Sequence, residues 1–295
     1  MSATSEVPAA FRHAAGERGP IRLIGEGISD IRSRRRLVRY LVQADIQKRG
    51  ADTLLGNIWW VLDPLLQMVV YVVFITIIVP RKVPDYPLFI FAAILPWKWF
   101  SASITDSTQS IVRNDQLIKQ IQFPKLVLPV SATSAGIVSF AFGTVALGLL
   151  MLFFSDRITL YLLYIPVIAV VQFVFTLALG ILVSAGNVFF RDLGNVEGHL
   201  IRLWWFLSPG LYSLAALDEV GVFKEHPSLA TLAAANPFAI LFEAYRAVIY
   251  GTPEHPPDAP PNLASLAVLL VASILLLTLT TYIFKRLEPS FAKVV

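Results

Sequence analysis

Residues 113–129 read RNDQLIKQIQFPKLVLP, and a long apolar run lies on either side of them. Membrane proteins usually join their spans through short loops of small or breaker residues. This loop instead carries the signals of a miniature amphipathic helix with a defined start and stop. Asn114 is a good N-cap residue. Leu117, Ile118 and Ile121 share a face at helical spacing, while Asp115, Gln116, Lys119 and Gln120 point elsewhere. Pro124 ends the helix and pushes Phe123 towards an extended backbone. Such an element between two membrane spans calls for a partner on its own side of the membrane.

The flanking runs set the class. Of 295 residues, 56% are hydrophobic and 15% charged, with a mean hydropathy of +0.67. A soluble protein carries about 25% charged residues, so this chain belongs in a bilayer. A crossing helix needs about 20 mainly apolar residues. Six runs meet that length, at about 56–79, 88–112, 126–155, 158–189, 201–218 and 263–284. The fifth is short and contains Ser208-Pro209-Gly210; the third and fourth are separated only by Asp156-Arg157, which implies a tight hairpin. The first apolar run is too long for the core of a cleavable signal peptide.

Charge then orients the spans. Eighteen of the 24 lysines and arginines fall on one side, ten of them before the first span, against Arg81, Lys82, Arg157, Lys224 and Arg246 on the other. Both termini and the loop at 113–125 are therefore expected in the cytoplasm. Residues 1–28 read as a variable, disordered N-terminus. From Ser29 to Lys48 a basic amphipathic helix is expected, with Ile31, Val38, Leu41, Val42 and Ile46 on one side and Arg32, Arg35, Arg36 and Arg39 away from it. Such a helix suits a headgroup layer rich in anionic lipid, or serves as a plain topology anchor. The external segment at 219–250 is apolar but broken at Asn236-Pro237, so two short re-entrant or interfacial helices are expected. A Pro-rich linker at 251–262 and a cytoplasmic tail at 285–295 complete an all-α, six-span membrane protein.

Several chemistries are missing from the sequence. It has no cysteine, which removes disulfides, thiolate catalysis and Cys-ligated metal sites. No phosphate-binding G-x-x-x-x-G-K-[ST] loop occurs, so ATP is not bound through one. His13, His199, His226 and His255 are scattered without metal-ligand spacing, and the net charge of +4 is small for nucleic-acid binding. No catalytic residue and no metal site is assigned. Ionisable groups inside spans are functional suspects, and here they are few: Asp63, Lys98 and Asp106. Lys98 and Asp106 lie two turns apart on one helix face, which suits a polar cavity, local pairing, or contact of Asp106 with the interface. Trp59-Trp60 and Trp204-Trp205 suit an interfacial aromatic belt. Trp97, Trp99 and Phe100 sit deeper, after Pro96, where rings lining a cavity would carry a sliding sugar chain without fixing its register.

On these motifs the chain resembles the membrane permease subunits of type-2 ABC exporters, in the branch that moves O-antigen, capsular polysaccharide and teichoic acid. The resemblance runs from about Arg39 to the end. KRGADTLLGNIWWVLDP (48–64) matches the signature before the first span through Thr53, Leu55, Gly56, Trp59 or Trp60, and Pro64. AAILPWKWFSASITDSTQSIVRNDQLIKQIQFPKLVLP (92–129) matches the second span and the following loop. NVFFRDL, with Arg191 and Asp192, SPGLY, with Ser208 and Pro209, and ANPF, with Asn236 and Pro237, match later motifs. The chain departs at Gly50, where the family has an aromatic residue near the cytoplasmic entrance.

The resemblance implies that 113–125 is a coupling helix docking into a separate ATPase subunit through Asn114, Asp115, Gln116, Leu117, Ile118, Lys119, Ile121, Phe123 and Pro124. It implies a cytoplasmic substrate gate at Arg49, Thr53, Leu55, Gly56 and Trp59. A polar, aromatic channel is expected from Trp97, Lys98, Trp99, Phe100 and Asp106. Two copies would form the channel, and two ATPase subunits would supply ATP and Mg²⁺, leaving this chain without a cofactor or enzymatic step. The expected substrate is a polyprenyl-diphosphate-linked glycan, moved across a bacterial inner membrane. The rival readings are a permease of the same fold exporting a drug or lipid, and an ion-coupled carrier, which would need inverted repeats and paired carboxylates.

Overall fold

The computed structural model describes residues 19–50, 55–78, 83–214 and 227–294. Thr53 therefore lies outside the described residues. Among the described residues the α-helices are α1 (Pro20–Ser33), α2 (Arg35–Gly50), α3 (Trp59–Ile78), α4 (Tyr86–Gln109), α5 (Asp115–Gln120), α6 (Val127–Met151), α7 (Ile165–Phe189), α8 (Leu193–Leu207), α9 (Pro227–Ala234), α10 (Pro237–Ile249) and α11 (Leu263–Val294). Five segments are long and apolar enough to cross a bilayer: Trp59–Ile77, Tyr86–Gln109, Val127–Met151, Leu160–Phe189 and Leu263–Phe291. The chain is an all-helical, multi-pass membrane protein.

The fifth expected span, at 201–218, is not a long helix. α8 has 15 residues and stops at Leu207, where Ser208 turns extended (φ −98°, ψ 148°) because it precedes Pro209. Two further expectations shift. Helix begins at Pro20, inside the stretch read as disordered, since proline suits a first helical position. The single helix expected from Ser29 to Lys48 is instead two, joined at Arg34. Near the join Ser33 Oγ donates to Asp30 O at 3.1 Å, competing with the backbone ladder. At the other terminus α11 continues to Val294, so residues 285–294, expected as a cytoplasmic tail, are helical.

α4 is the central helix, packed by α3, α6, α7, α8 and α10. Small residues bring its neighbours close. A methyl group on Gly180 would stand 2.9 Å from Ser107 Oγ and 3.0 Å from Thr133 Oγ1, and those two hydroxyls are themselves hydrogen-bonded at 3.0 Å. This is how membrane helices gain packing without a hydrophobic drive between them. Two apolar cores result. The larger gathers Trp97, Phe100, Trp205, Phe238, Phe242 and Tyr245. The smaller joins Ile111, Ile118, Phe123 and Leu126 to Val188, Phe284 and Phe291, with Ile31, Val38 and Leu41 of α1 and α2 against it. The second core puts the N-terminal helices, the 113–125 loop and the end of α11 at one end of the molecule, called here the inner end.

Candidate functional site

The inner end is built around the loop that follows α4. The chain leaves α4 at Ser110, whose Oγ reaches Ser107 O at 2.7 Å and Ser184 Oγ at 3.2 Å, and a 3₁₀ turn (Val112–Asn114) leads into α5. Asn114 stands at the N-cap position but does not cap. Its backbone (φ −108°, ψ 26°) is outside the extended region a cap needs, and its Nδ2 donates back to Ser110 O at 2.7 Å. Asp115 and Lys119 form an ion pair at 3.5 Å across one turn. Ile121 is extended (φ −129°, ψ 134°) and closes the helix before Pro124.

The apolar stripe divides between two roles. Ile118 and Phe123 are buried at 7% and 8% exposure, and Leu117 packs beside them in the inner core. Ile121 is 54% exposed. Leu117, Ile118 and Phe123 thus fasten the loop to the rest of its own chain. The surface left outward consists of Arg113, Gln116, Lys119, Gln120, Ile121 and Gln122. Behind it, Glu288 of α11 accepts from the Lys125 backbone N–H at 2.6 Å, and Lys285 bridges Glu288 at 2.5 Å and Asp30 of α1 at 2.8 Å. Loop, α1 and α11 are therefore tied by one charged knot whose lysine is 11% exposed.

The residues expected at the gate lie beside this end. Leu55, Ile58 and Trp59 are exposed, and Gly56 has φ 49°, a left-handed turn that glycine adopts without a Cβ clash. The side chain of Arg49 is outside the described residues. Arg191 and Asp192 are exposed at the turn before α8. Asn187, in the same motif, is the buried organiser there: its Nδ2 donates to Thr108 O at 2.8 Å and its Oδ1 accepts from Gly194 N at 3.0 Å.

The residues expected in one channel separate into three places. Lys98 pairs with Asp63 in a cleft of about 220 Å³ that Trp60, Trp99 and Ser139 also line. Trp97 and Phe100 lie inside the molecule at 5% and 1% exposure, within the larger aromatic core; successive residues of this turn of α4 point to the cleft and to the core in different directions. Asp106 is near Glu197 of α8, which is hydrogen-bonded to Thr105 and only 6% exposed.

The outer end is set by Asn236, already marked by its motif, and by Arg157 and Arg246, which the sequence marks only as charges. Asn236 ties the two later motifs together: its Oδ1 accepts from Trp204 Nε1 at 3.1 Å and Phe238 N at 3.0 Å, and its Nδ2 donates to Ser208 Oγ at 2.9 Å. Pro237 opens α10 at its first position, and the break at Pro209 frees carbonyls nearby. Arg246 takes them up, donating to Pro209 O at 2.7 Å, Gly210 O at 2.6 Å and Tyr212 O at 3.1 Å, with its guanidinium over the Phe89 ring at 3.7 Å. Arg157, in the hairpin between α6 and α7, does likewise for Tyr250, Thr252 and His255, and pairs with Asp85 at 2.8 Å. An arginine set in a largely apolar stretch was the available signal.

No protein-family profile matches the chain. Among curated relatives, an O-antigen export system permease protein RfbA of Myxococcus xanthus is 33% identical over 260 residues, covering 88% of this chain and 95% of the relative. Two proteins of the same description from Klebsiella pneumoniae are each 26% identical over 259 residues, covering 88% of this chain and 94% of theirs. The motifs span the same helices and loops whose geometry is given above. The chain belongs to the family of O-antigen export permeases, the transmembrane subunits of type-2 ABC exporters.

Proposed function

We propose that this protein exports a polyprenyl-diphosphate-linked polysaccharide of the O-antigen type from the cytoplasm to the outer side of a bacterial inner membrane. The work comes from a separate ATPase subunit that carries ATP and Mg²⁺; this chain holds no cofactor of its own. The observation that carries the reading is the 33% identity to an O-antigen export permease over 88% of the chain, together with a loop fastened into the inner core and left polar outside. The outward residues Gln116, Lys119, Gln120 and Ile121 offer an apolar contact within a polar rim, the usual composition of a docking face. A push on α5 passes to α4, α1 and α11 through Ile118, Phe123 and the Lys285–Glu288–Asp30 knot, so helices move as bodies.

Both termini are assigned to the cytoplasm. The knot holds α1 beside the end of α11, and a chain that starts and finishes on one side crosses an even number of times. Five long helices then need a sixth crossing, which we assign to α8 and the residues that follow it to 214, where the sequence expects the fifth span; α9 and α10 are the re-entrant pair. A homodimer is assigned because six crossings enclose no glycan-sized channel alone. Its interface would use the exposed apolar face of α3 (Leu66, Val69, Val70, Val73, Phe74) and that of α8 (Val196, Leu200, Leu203, Phe206). Two ATPase subunits match two coupling loops. The glycan lipid enters by Leu55, Gly56 and Trp59, where Arg49 and the α2 arginines are suitable partners for its diphosphate.

Depletion of the protein in its own cells, followed by leaflet assignment of the extracted lipid-linked glycans, tests this. One long polyprenyl-linked polymer should accumulate on the inner leaflet. Normal delivery of every glycan to the outside would refute the assignment and leave the drug- or lipid-exporting reading.

A further inference from the structure

Among the described residues, Lys98 and Asp63 form the one ion pair that joins two of the five long spans. Lys98 sits midway along α4 and Asp63 in the second turn of α3, yet their side chains are 30% and 59% exposed. We propose that Lys98 takes the substrate's diphosphate once it has passed the gate, and that Asp63 makes the site selective against phospholipid headgroups. The proposal rests on the export reading and names the next contact of that substrate.

Depth and openness carry the first step. Charged side chains inside spans face a bundle interior or a water-filled cavity, because hydrocarbon solvates them poorly. The cleft between α3, α4 and α6 therefore opens to water or polar substrate, not to acyl chains. It starts one residue beyond the expected gate, since Trp60, Asp63 and Pro64 line it and Trp59 belongs to the gate. Its polar lining is one ammonium, one carboxylate and the Ser139 hydroxyl. At about 220 Å³ it is smaller than most ligand pockets, which run from about 300 to 1,000 Å³. A compact anion fits it better than sugar rings.

Charge supplies the selectivity. An ammonium has three donors and binds phosphate as a point charge, but Asp63 already neutralises this one. A lipid-linked diphosphate carries a negative charge on each of its two phosphates, whereas a phospholipid phosphodiester carries one in all. Against a competing carboxylate the doubly charged group wins the ammonium and the singly charged group does not. Parting the pair costs little, because an open ion pair contributes little to stability and Asp63 returns to water. α3 packs on α4 and α6 and is the least buried of the five spans, so it gives way when the pair parts.

The test is equilibrium dialysis of radiolabelled farnesyl-diphospho-N-acetylglucosamine against the full transporter, permease with its ATPase, in phosphatidylcholine nanodiscs. Lys98→Met should weaken binding about tenfold, and Lys98→Arg should keep most of it. Asp63→Asn should tighten binding about threefold and let phosphatidylglycerol displace the probe, which the unaltered protein resists. Unchanged binding in Lys98→Met, or an Asp63→Asn loss equal to that of Lys98→Met, overturns the site. Displacement by phosphatidylglycerol from the unaltered protein overturns the selectivity and makes this a phospholipid site. Depletion separates the two readings. Binding that ignores Lys98, with surface polymer lost on depletion, sinks the site alone; unchanged surface polymer sinks the export reading as well.

Discussion

The inner and outer ends of this protein are held together by opposite means. At the inner end apolar side chains do most of the joining: Ile118 and Phe123 of the loop meet Phe284 and Phe291 of α11, with one lysine–carboxylate knot behind them. At the outer end two buried arginines gather backbone carbonyls. Arg157 holds three at 2.6–2.9 Å and Arg246 three at 2.6–3.1 Å. The difference follows from where the backbone is broken. Inner helix ends lie near water, which can satisfy their last carbonyls. The outer break at Ser208–Tyr212 is buried, where each unsatisfied group costs several kcal/mol. A guanidinium with five fixed donors meets that need better than an ammonium. The outer end is thus a braced wall, and the inner end a packed patch with a polar surface.

The largest expected effect breaks the outer brace. Arg246→Met strands three buried carbonyls and should cost about 3–5 kcal/mol, read as a lower melting temperature in detergent; Arg246→Lys should recover only part of it. Unchanged melting would show that the wall does not depend on the arginine. Arg157→Gln should follow at about 2–4 kcal/mol by the same reasoning, with the 252–258 segment becoming open to proteolysis.

The inner end is sharpened by a pair of variants one helical turn apart. Ile118→Ser removes a buried anchor and should cost about 2–3 kcal/mol. Ile121→Ser should change stability by no more than about 0.5 kcal/mol yet uncouple ATP hydrolysis from export. Equal melting losses in the two would contradict the division of the stripe. A similarly small stability effect is expected for Lys98→Met. Its ion pair with Asp63 is open, with side chains 30% and 59% exposed, and such pairs contribute about 1 kcal/mol or less; glycan export rates, not melting, would report a role for the cleft.

Five long spans could be read directly from apolar runs, because length and hydrophobicity alone decide them. The fifth run could not. Ser208-Pro209 stops the helix, and whether the chain then continues across depends on the contacts of Asn236 and Arg246, which come from residues 28 and 38 positions further on. The LPW run shows a similar limit. Its sequence places Trp97, Lys98, Trp99 and Phe100 together, but successive residues on a helix point about 100° apart. Lys98 and Trp99 therefore line the cleft while Trp97 and Phe100 enter the core. The loop at 113–125 was legible as a helix with an apolar stripe. Which part of that stripe faced inward was set by Phe284 and Phe291, more than 160 residues away in the chain.

The most direct test is ATP-driven transfer in sealed inside-out vesicles that contain this permease, its ATPase and a lipid-linked O-antigen polymer on the outer, cytoplasm-derived face. The predicted result is that the glycan becomes protected from an added glycosidase only when ATP is supplied, and that Ile121→Ser abolishes protection without unfolding the protein. Protection without ATP, or a polymer that stays accessible with ATP and both subunits present, would contradict the assignment.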